Sequence, residues 1–214
     1  MNDGDAESAR LAARALADGR PTAWFEELYA AAAREEITMP WDRTRPSALL
    51  ADWLTGSGTG RSAVVVGCGL GADAEFVAAH GFATTAFDIS ATAVRTARQR
   101  YPTSPVDYRT ADLFALPDGW AFDLVVEIIN VQALPVSLRP EAVAAVAGLV
   151  APGGTLLAVE NVRTGPLSSR PPWPFSHAEI TSFADHGLDP VRIEQLDDGI
   201  RRWRAEFSAA RIRT

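Results

Sequence analysis

Ala63-Val64-Val65-Val66-Gly67-Cys68-Gly69-Leu70-Gly71-Ala72 and, further on, Ala86-Phe87-Asp88 decide the fold. The first four residues are apolar and mostly β-branched, which marks a short strand buried on both faces. The glycines that follow leave no room for a long loop. They permit a tight turn and let a ligand approach the backbone at the start of a helix. That helix is predicted over Ala72 to His80 and is closed by Gly81. A second apolar run, Ala83 to Phe87, is the next strand, and Asp88 stands at its end, 21 residues after Gly67. A carboxylate in that position can accept hydrogen bonds from both hydroxyls of a ribose. Strand, glycine turn, helix, strand and acid in this register predict an adenosine-containing cofactor.

Outward from this unit the alternation continues. Ser90 caps a helix running to Pro102. Strands are predicted at Val106 to Arg109 and Phe122 to Glu127, then a helix from about Arg139 to Val150. Gly153-Gly154 breaks the chain before a fifth strand, Thr155 to Val159. Ser176 and Glu179 form a capping box for a helix ending at Gly187. Val191 to Leu196 and Ile200 to Phe207 flank Asp197-Asp198-Gly199, a hairpin signal. Short apolar strands alternating with helices predict a parallel sheet covered on both faces. The fold class is α/β: a Rossmann-like, seven-stranded, mostly parallel sheet that ends in an antiparallel hairpin. Residues 1–60 differ in texture, being rich in Ala, Leu and Trp. They predict helices over Ala6 to Ala17, over a stretch capped by Thr22 with Trp24, Phe25, Leu28, Tyr29 and Ala32 on one face, and after Pro46. The boundaries expected are a helical extension or lid over 1–60 and the core over 61–214, with Met1 to Glu7 as a mobile tail.

Composition excludes several function classes. Of 214 residues, 47% are hydrophobic and 22% charged, ordinary for a globular chain, and the net charge is -7. That balance disfavours a nucleic-acid footprint. All 20 cationic side chains are arginines, which excludes Schiff-base lysine chemistry and a lysine-bearing phosphate loop. One cysteine, Cys68, excludes an internal disulfide and a multi-cysteine metal site, and no histidine pair has metal spacing. Cys68 reads as a small packing residue, with no adjacent histidine to activate it. No signal peptide and no membrane-length apolar run is seen, so the expected address is the cytoplasm. Either a monomer or a homodimer is compatible with these features.

The glycine turn leaves two cofactors open. Gly67-x-Gly69-x-x-Ala72 also satisfies the dinucleotide pattern. Gly71, Asp112 after the third strand and the closing hairpin pull the other way. Here the sequence resembles the class I S-adenosylmethionine-dependent methyltransferases, through Val66 to Gly71, Phe87-Asp88-Ile89-Ser90, Ala111-Asp112-Leu113, Phe122 to Glu127 and Leu149 to Thr155, in the family's order. The resemblance implies S-adenosylmethionine as cofactor and S-adenosylhomocysteine as product. It implies that the turn Gly67, Cys68 and Gly69 faces the methionine part, Asp88 holds the ribose, Ile89 and Leu113 flank the adenine, Asp112 accepts from its amino group, and Glu127 sits near the methionine amino group. A narrower resemblance, to the thiopurine S-methyltransferase branch, rests on Trp24-Phe25-Glu26, Pro40-Trp41-Asp42, Gln132-Ala133-Leu134-Pro135 and Pro171-Pro172-Trp173-Pro174. It implies that Trp41 packs over the cofactor. The arginine expected in that branch is Val131 here, which points to another acceptor than a thiopurine.

The resulting expectation is methyl transfer to a small-molecule acceptor, sulfur first, then nitrogen or oxygen. Trp24, Asn130, Gln132 and Trp173 are the candidate acceptor contacts, and Asp42 and Glu127 the candidate general bases. A nicotinamide-dependent oxidoreductase using the same turn, and a non-catalytic binder of the same cofactor, are the alternatives. The lack of lysine excludes the common Tyr–Lys form of the former. No metal is called for, and neither nucleic acid nor membrane is an expected partner.

Overall fold

A computed structural model of the chain describes residues 3–167, 170–197 and 199–211. The helices are α1 (Asp3–Ala17), α2 (Ala23–Ala33), α3 (Ala48–Trp53), α4 (Ala72–Ala79), α5 (Ala91–Arg100), α6 (Arg139–Gly148) and α7 (His177–Thr181). The strands are β1 (Ser62–Val66), β2 (Ala83–Asp88), β3 (Asp107–Thr110), β4 (Phe122–Ile128), β5 (Val150–Asn161), β6 (Leu188–Asp197) and β7 (Arg201–Ala209). They form one seven-stranded sheet in the order β3-β2-β1-β4-β5-β7-β6. The first five pair in parallel, while β7 runs antiparallel to both β5 and β6. The expected Rossmann-like sheet with its closing hairpin is therefore the architecture observed.

The period-two alternation of strands sorts the core into two layers. Val64, Val66, Val125, Leu156 and Ala158 point to the face covered by α6, with Phe175, Ile180 and Phe183 beside it. Ala63, Val65, Leu124, Val126, Leu157 and Val159 point to the face covered by α3, α4 and α5. A third cluster joins Leu11, Ala12 and Ala15 of α1 to Trp24, Leu28 and Tyr29 of α2 and to Ala93 of α5. The N-terminal helices are thus seated on the N-terminal end of α5. The chain steps from β1 outward to β2 and β3, then returns to β4 on the other side of β1. Loops leaving β1 and β4 diverge there, and open α/β sheets bind ligands in that crevice.

Local expectations differ from the structure at a few points. The helix α1 begins at Asp3, within the stretch expected to be a mobile tail. Asp3 and Asp5 complement the positive end of the helix, and buried Gly4 packs against Thr38 and Pro40. Met1 and Asn2 lie outside the described residues. Thr22 occupies the cap position of α2 without a side-chain capping bond. Gly153-Gly154 does not end the sheet ladder: Phe122 pairs with Val150 and Leu124 with Thr155, so the intervening residues bulge within β5. The Ser176–Glu179 capping box is present, but α7 passes into a 3-10 turn, Ser182–His186, before Gly187. The hairpin's Asp198 lies outside the described residues. Arg204 of β7 donates to Glu194 and to the Leu49 carbonyl.

Central packing should dominate stability. Leu156→Ala, at a position with no exposure, is expected to lose about 2–5 kcal/mol in urea unfolding at unchanged m-value. Val191→Ala, on the exposed part of β6, should stay within about 0.5 kcal/mol of the parent.

Candidate functional site

The β1–α4 turn is built from backbone rather than side chains. Gly67, Gly69 and Gly71 all have positive φ, and Gly71 precedes α4 with no side chain capping the helix. The amides at the α4 N-terminus are therefore left accessible to a ligand. The Cys68 amide donates to the Phe87 carbonyl at 2.8 Å, which binds the turn to the end of β2. Asp88 completes the tie. Its Oδ2 accepts from the Gly69 amide and its Oδ1 from the Ser90 amide, each at 2.9 Å. Burial pushes this carboxyl up to about 6, although both amide bonds favour its ionised form. Each oxygen keeps a lone pair for a further donor.

The other wall comes from the N-terminal helices. Glu26 of α2 accepts from the Ser90 hydroxyl at 2.6 Å and from the Thr92 amide and hydroxyl at 3.1 and 2.5 Å. One carboxylate thus closes the N-terminus of α5 and holds α2 beside Asp88. The Trp41 indole donates to the Tyr29 hydroxyl at 2.8 Å and meets the Trp24 and Tyr29 rings edge-on, both at 6.1 Å. Arg43 pairs with Asp73 of α4 at 2.8 Å, and Asp73 also accepts from the Ser47 amide.

The third wall is the turn after β4. Ile129 has φ +61°, a strained value for a β-branched residue. Glu127 holds this shape, its Oε1 accepting from the Asn130 and Val131 amides at 2.8 and 3.1 Å. The Asn130 amide group donates to the Val66 and Ile128 carbonyls. Its oxygen fills the space where a Cβ on Gly67 would stand, so residue 67 must lack one.

These walls enclose a cavity of about 620 Å³, within the ordinary range for ligand pockets. It is lined by Trp24, Trp41, Gly67, Cys68, Gly69, Asp88, Ile89, Asp112, Leu113 and Asn130 from among the sequence candidates. Asp112 both lines it and caps a 3-10 turn, accepting from the Phe114 amide at 2.9 Å. Burial and the Asp88 charge push the Cys68 thiol and the Tyr29 phenol up, so both stay neutral.

Four candidates lie elsewhere. Glu127 is fully buried under the β4 turn, with its carboxylate committed to backbone amides rather than to the cavity. Gln132 is fully buried, its amide oxygen accepting from Asn161. The Trp173 side chain is buried while its backbone bonds the Gln132 carbonyl and the Arg139 guanidinium. Its neighbours Pro171 and Pro172 line the cavity instead. Asp42 is held bidentate by Arg100 at 2.7 and 2.9 Å, outside the cavity. Sequence reasoning missed Phe114, Leu134 and Arg202 as lining residues and gave no role to Glu26. No local sequence signal marks Glu26 as the acid that reaches Ser90 and Thr92, since Ser90 already caps α5 through the Ala93 amide.

A family model described as a methyltransferase domain matches residues 63–154. A probable thiol methyltransferase of Arabidopsis thaliana is 30% identical over 123 residues, 55% of this chain and 54% of that protein. The chain thus spans about half the length of the curated relative it matches. Among solved structures, N-methyltransferase NodS of Bradyrhizobium japonicum, in complex with S-adenosylhomocysteine, superposes with a TM-score of 0.65. It is 20% identical and the match covers 85% of this chain and 97% of NodS. A protein described for converting a disulfide bond into a thioacetal group during echinomycin biosynthesis gives a TM-score of 0.69 at 19% identity, over 86% of this chain and 93% of that one. Residues 63–154 thus match a methyltransferase-domain model, and the seven-stranded sheet that contains them has the same fold as NodS.

The packing of Asn130 on Gly67 is open to a double-mutant cycle. Gly67→Ala should lose about 1–3 kcal/mol of stability, because φ is +57° and Asn130 is displaced. In the Asn130→Ala background the same change should cost less, leaving a coupling of about 0.5 kcal/mol or more by denaturant unfolding.

Proposed function

We propose that the chain transfers a methyl group from S-adenosylmethionine to a small-molecule acceptor, sulfur first, then nitrogen or oxygen, in the cytoplasm. The observation that carries this reading is the Asp88 carboxylate at the floor of the cavity, with the glycine turn at its side and lone pairs still free. These residues fit the cofactor by their chemistry. Asp88 would accept from the ribose hydroxyls, the Gly67-Cys68-Gly69 backbone would face the methionine part, and Ile89 and Leu113 would flank the adenine. Asp112 would accept from the adenine amino group, and Trp41, held by Tyr29, would cover the site. Bound there, the cofactor supplies an electrophilic methyl group on a sulfonium.

The acceptor end would be mostly apolar and aromatic, with Trp24, Phe25, Ile129, Leu134, Pro171 and Pro172 on the wall and Asn130 and Arg202 among the polar lining. Its task is to align the acceptor and exclude water. The lining carboxylates are already engaged: Asp73 with Arg43, Asp112 with the Phe114 amide, Asp88 with Gly69 and Ser90. The two bases expected from sequence, Asp42 and Glu127, are committed elsewhere. An acceptor that needs no strong base suits this wall, and a thiol ionises more readily than an alcohol. The Arabidopsis relative, a probable thiol methyltransferase, supports the same choice.

Calorimetric titration of cofactor-stripped protein should show S-adenosylmethionine and S-adenosylhomocysteine binding and no binding of NAD. Binding of NAD alone would overturn the reading. Asp88→Asn should weaken S-adenosylhomocysteine binding by about 10–100-fold, the loss of charge-assisted bonds. The ribose hydroxyls favour the ionised carboxylate, so affinity should be full above the Asp88 value of about 6 and fall as pH drops through it. An acceptor panel should show turnover with aromatic thiols before amines and phenols. Turnover of phenols alone would move the assignment to oxygen.

A further inference from the structure

Behind the β4 turn lie two fully buried carboxylic side chains, Glu127 and Glu160, on adjacent parallel strands. Glu127 stands beside Ala158, and Glu160 follows two residues later, so both side chains emerge on the same face of the sheet. Both reach the same short segment: Glu127 Oε1 accepts from the amides of Asn130 and Val131, and Glu160 Oε1 accepts from the amide of Gln132 at 3.0 Å. The remaining oxygens, Oε2 of each, are buried and have no other hydrogen-bond partner among the described residues. Gln132 passes the connection on, its carbonyl accepting from Trp173 and its side chain from the Asn161 amide.

Two carboxylates this deep in a sheet cannot both carry charge. Burial raises both, and the charge on Glu127 raises Glu160 further. The surrounding charges do not neutralise the pair. Arg139 of α6 acts on Glu160 through its charge, but its guanidinium lies over the Phe175 ring and donates to Glu179 and to the Trp173 carbonyl. Arg163 is paired with the same Glu179. On β7, Trp203 stands beside Glu160, Arg202 beside Asn161, and the exposed His177 ring packs on Trp203.

We propose that Glu127 and Glu160 are positioning residues that share one proton, Glu160 donating to Glu127, and so clamp the Ile129–Gln132 turn and the proline segment against the acceptor end of the cavity. The proton stays on Glu160 Oε2 and is donated to Glu127 Oε2, so both orphaned oxygens gain a partner while Glu127 keeps its charge for the two amides. Ile129 is thereby held on the cavity wall at a backbone angle that β-branched residues otherwise avoid, with Asn130 beside it, and Pro171 and Pro172 follow through the Gln132–Trp173 bond. The functional arm of the proposal rests on the methyl-transfer reading, whereas the proton and the clamp do not.

The test uses the full chain and the variants E127A, E127Q and E160Q. Infrared difference spectra at about pH 8, where an ordinary glutamate is ionised, should show a protonated carboxylic acid in the parent that E160Q removes. Absence of that band would overturn the shared proton. Amide hydrogen exchange in the peptide covering 128–135 should quicken by about tenfold or more in E127A, relative to peptides of β1, and return to the parent rate in E127Q. Uniform acceleration, or no rescue by E127Q, would overturn the clamp. Should E127A not fold, the infrared comparison of the parent with E160Q decides. With acceptor turnover in hand, E127A should raise the acceptor KM by about tenfold with S-adenosylhomocysteine affinity within about threefold. Equal loss of both would reject a role at the acceptor end. If the protein binds no S-adenosylhomocysteine while the band and exchange results hold, the function reading falls and the clamp stands.

Discussion

Two hydrogen bonds to one buried carboxylate organise the ligand side of this molecule. Asp88 joins the turn after β1 to the start of α5, through Gly69 and Ser90, and thereby fixes the gap between two elements that pack on the same face of the sheet. A charge at that depth costs free energy, which is why its carboxyl is held above the usual range despite two donors. The cost is offset when further donors arrive, so the site is arranged to gain most from a ligand that brings hydroxyls. Glu26 repeats the device one layer out, spending a second carboxylate on Ser90 and Thr92 to bring α2 over the same point. The aromatic wall of Trp24, Tyr29 and Trp41 is placed by that contact.

The parts of this arrangement legible in the sequence are those whose cause is local. A β-branched run followed by three closely spaced glycines needs no tertiary information to be read as strand and turn, and Asp88 falls in register because strand and helix lengths vary little. The Ser176–Glu179 capping box and the hairpin are legible for the same reason. The orientation of side chains after β4 was not. A positive φ at Ile129 carries no sequence signal, and it turns Asn130 into the cavity while Gln132 goes to the core. Glu127 was in fact readable. Period-two alternation puts it on the side of Val125, which faces α6, and puts Glu160 on the side of Ala158, which faces the same layer. Placing Glu127 near a ligand because it ends a strand overlooked that parity.

The cavity divides by chemistry. The end around the glycine turn is backbone amides and carboxylates, and the end around the β4 turn is mostly rings, aliphatic chains and prolines. Arginine, the chain's sole long cationic residue, serves mainly to pin elements together: Arg43 to α4, Arg100 to the Trp41 loop, Arg139 and Arg163 to Glu179. Planar guanidinium groups suit these multidentate ties better than ammonium groups would. Under the proposed function, selectivity for the acceptor is a matter of shape and apolar contact, with Asn130 and Arg202 adding polar groups to the lining.

The strand order has a consequence for how the chain matures during synthesis. β7 lies between β5 and β6, so the outer edge of β5 stays unsatisfied until about forty more residues have left the ribosome. During that interval a nascent chain presents a long apolar strand with open amides and carbonyls, the kind of surface that recruits chaperones or neighbouring chains. β6 is made first and must wait, or pair wrongly with β5, before β7 slides between them. Translation speed across the 162–200 stretch therefore bears on the yield of folded protein in a way that no property of the finished fold reveals.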